Sequence, residues 1–427
     1  MVAQIIIYDN FLVGATAFEF SGDDLISCQY EQHSSCSGTE LANDTMTATV
    51  RSENPSGSDE LISSDGDYLR GRDDNYIYYT LATQTSQGLL SVKRGTKADL
   101  KLHDENTGQD YVYHYVFDSC KLISAGYWTL NFISPMTWLG EQACGGVNTY
   151  IGQPASSNTV GSLVSVFNQR AGRGTLLTVD PDIAGVSVDG IIEDGDSIRD
   201  AVCKLQMVCD GCIVNGNTLS PVYADGTAES IPEDNCGSQS ITYPETNTRI
   251  DVDSWMYDAI NTISDELFNS DSLDDSVLSG SVFDYYISDK YTKWTKTGNI
   301  TVGGLGTQHI TVDNSGLKTG KLTIYRHSFV ATRHSVNETG ITPTKIITVD
   351  NNKLINAGNW AEIADRLLAF YASAQKHEVT VYDKLLHTNH VYEFTDATGA
   401  RKTGILIDVN VQISHTLASR CTFITDY

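Results

Sequence analysis

The sequence is poor in positive charge: 28 Lys and Arg stand against 54 Asp and Glu, which leaves a formal charge of -26 over 427 residues. Holding nucleic acid by phosphate neutralisation needs clustered Lys and Arg, so this composition argues against a DNA-binding function. Long apolar runs are missing as well. No stretch reaches the ~18 consecutive apolar residues that span a bilayer, and Ile5-Ile6-Ile7 has no basic residue before it. Neither a membrane span nor a signal peptide is expected, and the chain reads as made in the cytosol. Cysteine is thin: nine residues (28, 36, 120, 144, 203, 209, 212, 236 and 421), an odd number, suit reduced thiols better than a disulfide framework. Charged residues make up only 19%, which excludes a disordered acidic tail and a coiled coil.

What is present is glycine (35), tyrosine (22) and 40% hydrophobic residues, the composition of a turn-rich β protein of roughly two to three domains. Over 1–135 the patterning predicts strands at Ile5–Tyr8, Ala15–Phe20, Met46/Ala48/Val50, Tyr76–Leu81, Leu89–Val92, Leu100/Leu102, Tyr111–Phe117 and Tyr127–Phe132. Tyr111–Phe117 carries aromatics on one face and mostly aliphatics on the other, so both faces are expected to be covered, as in a barrel or a subunit contact. A tyrosine-lined sugar-binding face is the alternative for that strand.

From 136 to 220 the pattern turns to mixed α/β. One helix is expected after Asn158 with Val160, Leu163, Val164 and Phe167 on one face. A second follows the capping box Ser197-Ile198-Arg199-Asp200, with a stripe of Ile198, Ala201, Val202, Leu205 and Val208, and Gly211 as its stop. Short strands are expected at Leu176–Val179 and Val186–Val188. Residues 221–320 form an acidic, variable region with one helix expected over Ser254–Phe268 from Met256, Ile260, Ile263 and Leu267. Over 321–427 strands return at Leu322–Tyr325, Thr344–Val349, Val379–Tyr382, His390–Phe394, Gly404–Ile413 and Cys421–Ile424. A helix over 359–375 is signalled by Asn359 and Glu362. No repeat of 20 to 50 residues is visible, which argues against solenoids and propellers.

Catalytic and metal patterns fail one by one. Gly195-Asp196-Ser197-Ile198 is like the nucleophile block of GDSL esterases, but no Asp-x-x-His follows, and Ser197 is better used as a helix N-cap. Cys209-Asp210-Gly211-Cys212 has no second C-x-x-C to complete a zinc site or a redox pair and reads as buried small hydrophobes. His387 and His390 flank a turn with no third ligand in view. Ser64-Asp65-Gly66-Asp67 breaks the EF-hand pattern at Leu69 and Arg70, and Gly303-Gly304-Leu305-Gly306 lacks a βαβ setting. The expectation is therefore no catalytic residues, no cofactor, no metal and no enzyme activity.

The order of several segments resembles the baseplate and tail-tip hub proteins of tailed bacteriophages and related injection machines. They are Glu40 to Val50; Val92-Lys93-Arg94-Gly95-Thr96 with Tyr113 to Leu122 and then Pro135 to Leu139; Gly145-Gly146-Val147-Asn148-Thr149-Tyr150 before a helix; Thr178-Val179-Asp180-Pro181-Asp182-Ile183-Ala184-Gly185-Val186; Arg199-Asp200-Ala201-Val202; and Asn351 to Tyr371 before terminal strands. Ile191-Ile192-Glu193-Asp194-Gly195 departs from the Trp and Leu-Pro of that family, and 221–300 matches nothing in it.

The resemblance implies a mainly β fold with α+β insertions: two related hub β-barrels (1–135 and 321–427) around smaller α/β parts. It implies a homotrimeric virion protein that joins the six-fold tail tube to a three-fold spike and lines the DNA conduit. Its neighbours would be a tube or distal tail protein above and a spike or fibre below, with tape measure protein as a further partner; assembly would take place in the host cytoplasm. The acidic charge fits an unbinding wall for DNA. A carbohydrate-binding adhesin and a hub-associated cell-wall hydrolase are the rival readings.

Overall fold

The computed structural model describes Val2 to Asp426 except residues 9–15, 36, 40, 42, 52–58, 61–77, 80–88, 90–91, 106–107, 125, 145–146, 149–158, 173–174, 194, 223–226, 245–247, 273–281, 287–292, 304–308, 314–318, 338–341 and 415–416. The largest sheet among the described residues has thirteen strands. Its path runs Cys236–Thr242, Gln375–Tyr382, Leu417–Thr425, Arg401–Ile413, Leu25–His33, Thr45–Arg51, Tyr127–Ile133, Gln109–Ser124, Lys97–Asp104, Val2–Tyr8 and Thr16–Ser21. Val391–Thr395 pairs with Arg401–Ile413 on one side and Glu229–Ser230 on the other.

Period-two patterning explains the first half. In Thr45–Arg51 the residues Met46, Ala48 and Val50 are fully buried while threonines alternate outward. The second half repeats the logic with Val379, Val381, Phe394, Cys421 and Phe423, and both halves share one core. They meet at one pairing, Leu25–His33 antiparallel to Arg401–Ile413 with His33 opposite Asp408. Among the described residues these strands close no barrel; the main path has two end strands, and the branch through Val391–Thr395 ends in a third, Glu229–Ser230.

Within the strand Gln109–Ser124, the stretch Tyr111–Phe117 is covered on both faces, as its patterning predicts. Tyr113, Tyr115 and Phe117 enter the shared core, and Val116 enters a separate core with Met136, Leu163, Phe167, Ala201 and Leu205. The turn Asn215-Gly216 presses on its outer side, where the His114 N–H donates to Asn215 O. Gly216 has φ +79°, and a Cβ there would stand 2.7 Å from His114 O, so only glycine fits.

Four helices build the α/β part. Pro135–Leu139 starts on Ser134, Val160–Ala171 on Thr159, Pro181–Ala184 on Asp180 and Ile198–Val208 on Ser197, each cap side chain accepting a backbone N–H. Val160, Leu163, Val164, Phe167, Ile198, Ala201, Val202 and Leu205 are buried, as their spacing requires. The first of these two long helices takes Thr159 as its cap where the sequence suggested Asn158, which itself lies outside the described residues. The second ends on Cys209, and Gly211 already begins the strand Gly211–Val214. Val186–Val188 is no strand but a single bridge from Ser187 to Thr159.

The largest correction lies in the acidic region. The helix expected over Ser254–Phe268 is instead part of a 22-residue strand, Thr248–Asn269. It pairs with the 18-residue strand Gly320–Asn337 and with Lys345–Val349, and Lys293–Gly298 completes a four-stranded sheet. Helical spacing of Met256 and Leu267 lost to ladder hydrogen bonding with Gly320–Asn337, and Thr248–Val252 is paired on its other flank too, by Lys345–Val349, with Ile250 and Val252 packed on the helix Trp360–Ser373. At the far end a small three-stranded sheet, Val282–Tyr286, His309–Asp313 and Thr301–Gly303, shares a separate core of Phe268, Ile310, Val312, Leu322 and Ile324. The helix Trp360–Ser373 forms as expected, but Asn359 makes no side-chain cap; its Oδ1 accepts from the Asn356 N–H. Of the strand expected at Leu89–Val92, residues 90 and 91 lie outside the described residues; the Val92 N–H donates to Leu89 O.

Candidate assembly surface

The free edges at the two ends of the main path are the features that a partner chain could complete, since each leaves backbone donors and acceptors unpaired on one side. One is Thr16–Ser21, which among the described residues pairs with Val2–Tyr8 alone; the other is Cys236–Thr242, which among them pairs with Gln375–Tyr382 alone. The second edge sits among exposed aromatics. Tyr243 (66% exposed) extends it, and Tyr382 lies over Gly237, where a Cβ would come within 2.7 Å of the ring. Exposed Leu122, Ile123 and Tyr127 mark the end of the hairpin formed by Gln109–Ser124 and Tyr127–Ile133. Surface ion pairs cross the strands, Arg420 to Glu378 at 2.9 Å and Arg401 to Glu393 at 2.6 Å, but such exposed pairs contribute little energy.

The residues singled out for chemistry lie in structural positions. The Ser197 hydroxyl accepts the Asp200 N–H at 3.1 Å and the Ser197 N–H donates to Asp200 Oδ2 at 3.0 Å, a complete capping box, and the hydroxyl has no histidine beside it among its bonds. Cys209 and Cys212 are buried thiols, each pushed up to about 12 chiefly by burial. Their sulfurs face backbone carbonyls of Gln206 and Pro221 respectively.

His387 and His390 do approach, with ring centroids 5.9 Å apart. His387 is buried, which lowers it to about 3, and it stacks on Tyr111 while the Tyr113 hydroxyl and its Nδ1 share a hydrogen bond. Among the described residues no group of three His, Cys, Asp or Glu side chains is placed to hold a metal ion. The Ser64–Asp67 loop, Gly304–Gly306 and most of Gly145–Tyr150 lie outside the described residues. The tyrosines proposed for sugar are in the core: Tyr113 and Tyr115 are buried, and Tyr111 is stacked on His387.

Sequence reasoning missed the strand that joins the halves. Leu25–His33 turns Cys28, Tyr30 and Gln32 inward, and only the alternation of burial, not of polarity, marks it. Among the described residues no helix is long and apolar enough to cross a membrane.

Neither a protein-family model nor a curated protein matches the sequence. Solved structures do. The tail protein from Neisseria meningitidis MC58 superposes with a TM-score of 0.51 at 9% identity, covering 100% of this chain and 96% of that one. The 43 kDa tail protein of prophage MuSo2 from Shewanella oneidensis gives 0.49 at 9% identity, covering 100% and 98%. The prophage tail protein gp18 from Listeria monocytogenes EGD-e gives 0.42 at 9% identity, covering 99% and 94%. Over its whole length, then, and at the level set by the Neisseria structure, the chain shares the mainly β fold of a phage tail protein.

Proposed function

We propose that this chain is a structural, non-enzymatic protein of a phage or phage-like tail, acting as the baseplate or tail-tip hub. The observation that carries the reading is the whole-length likeness of fold to a tail protein. In this reading the chain is a homotrimer whose halves, 1–135 and 321–427, each contribute one barrel-like segment, so that six segments continue a six-fold tail tube. The parts 136–220 and 221–320 are insertions on that frame. A tube or distal tail protein binds above, a spike or fibre below, and tape measure protein is a further neighbour. The open edges Thr16–Ser21 and Cys236–Thr242 support such closure, because a sheet edge of this length is stable when a neighbour pairs with it. A charge of -26 per chain supports a conduit wall along which DNA slides without sticking. Such a protein would reside in the virion tail and assemble in the host cytoplasm.

Native mass spectrometry of the purified chain, alone and with its tube and spike neighbours, tests this. Trimers are expected. A monomer under every condition would refute the hub reading.

A further inference from the structure

The seam between the two halves of the large sheet is also where the α/β part is tied in, and a carboxylic acid is buried at that spot. Asp44 is only 7% exposed and immediately precedes the strand Thr45–Arg51. Its backbone carbonyl accepts the Ser134 N–H at 2.9 Å, at the start of the first helix. One and three residues earlier, Asn43 Oδ1 and Leu41 O accept from the Arg199 guanidinium on the helix Ile198–Val208. The side chain of Asp44 is buried near the end of the strand Leu25–His33. The His33 backbone N–H donates to it, and beside it lie the His33 ring and Asp408, whose Nδ1 and Oδ1 are 2.5 Å apart across the one pairing that joins the halves.

The charged and titratable groups around Asp44 are mostly of its own sign. Leu25–His33 contributes Glu31 and His33, Arg401–Ile413 contributes Asp408, and Gln109–Ser124 contributes the buried phenol of Tyr115, whose hydroxyl donates to Glu31 O at 3.4 Å. Among the groups named, His33 alone offsets a negative charge, and Asp408 already pairs with it. Glu31 is occupied by Asn410, which donates to its Oε1 at 2.6 Å, again across the seam. An ionised Asp44 would therefore be a buried carboxylate with two more exposed carboxylates, Glu31 and Asp408, near it.

We propose that Asp44 is a proton-operated latch on the sheet: protonated, it lets Leu25–His33 and Arg401–Ile413 close, and its ionisation loosens their pairing. Burial first, and the charges of Asp408 and Glu31 with it, outweigh His33 and raise the carboxyl to about 8. In the unfolded or opened chain the same group has its ordinary value near 4. A raised acid stabilises the closed form fully below the open-state value, and that contribution is lost as pH rises through the closed-state value. The latch is therefore fully set only below about pH 4, weakens progressively as pH rises, and is fully released by about pH 8. Water entering between the strands is the cheapest way for the site to take the charge.

Hydrogen exchange followed by mass spectrometry, corrected for intrinsic rates, tests this on the full chain between pH 6 and 10. Protection of the Leu25–His33 and Arg401–Ile413 amides should fall as pH rises to about 8 and level off above it, the bend marking the midpoint of the Asp44 titration, while the Gly320–Asn337 strand keeps its protection. Asp44→Asn, which cannot ionise, should hold the seam amides protected across the range. Glu31→Gln, on the exposed side of the strand, should move the midpoint to lower pH by removing one like charge. Should Asp44→Asn fail to fold, the Glu31→Gln shift alone decides. A fall of equal size and midpoint in all three proteins, or no fall in the natural chain, would overturn the latch.

Discussion

His387 lies flat against Tyr111, their ring centroids 3.9 Å apart and their planes 25° from parallel. The contact joins a loop of the second half to a strand of the first, and Tyr392 extends it, since its hydroxyl accepts the His387 N–H at 3.0 Å. Burial lowers His387 to about 3, so in the folded chain it stays neutral where an exposed imidazole is charged. A depressed base contributes stability above its ordinary value of about 6.5, and that contribution is lost as pH falls from there toward 3. His387→Phe should therefore unfold at a lower temperature than the natural chain at pH 7, and the gap should narrow toward pH 4. Equal gaps at both pH values would show that the imidazole is not what titrates.

Ser197→Ala removes the acceptor at the start of Ile198–Val208 and should cost about 0.5–2 kcal/mol, visible as a lowered denaturant midpoint. The natural chain should stay unlabelled by a fluorophosphonate probe at this serine, because a capping hydroxyl without a base is a weak nucleophile. Stoichiometric labelling of Ser197 in the folded chain would reopen the hydrolase reading.

Cys209 and Cys212, both raised to about 12, should be protonated and inert at pH 7.5. Iodoacetamide is expected to modify them only after denaturation, which peptide mapping resolves. Rapid alkylation of the native chain would place them at a reactive site.

Duplex DNA should not be retained by the purified chain in a filter assay at ~0.15 M salt, where the Debye length of about 8 Å leaves only close contacts. Tight, salt-sensitive retention would contradict a conduit wall and favour a binding module.

The parts of the fold that were readable in the sequence share a physical trait: one face of the element meets one kind of surroundings. Met46, Ala48 and Val50 alternate with threonine because their strand has a core side and an outer side, and Phe167 and Leu205 fall on helical stripes for the same reason. Leu25–His33 was not readable because Gln32 is buried while Ile26 is exposed, the reverse of what polarity suggests. Thr248–Asn269 was misread because its second face carries Asp251 and Asp253, buried against Ser335 and Arg333, and such polar partners lie some eighty residues away. Ser197 was legible as a cap since everything it bonds is local; the free edges were not, because an edge is a property of the finished sheet.

The Leu25–His33 pairing with Arg401–Ile413 also sets a clock. Gln29 and Asn410, bonded across it, stand 381 positions apart. At roughly 5–20 residues per second a ribosome needs roughly 20–75 s to travel that distance. Throughout that interval the nascent first half holds a third open edge at Leu25–His33, the partner of which has not been made. Premature pairing there with another nascent chain would exchange strands between copies, so order of synthesis, and not only affinity, decides whether the finished sheet belongs to one molecule.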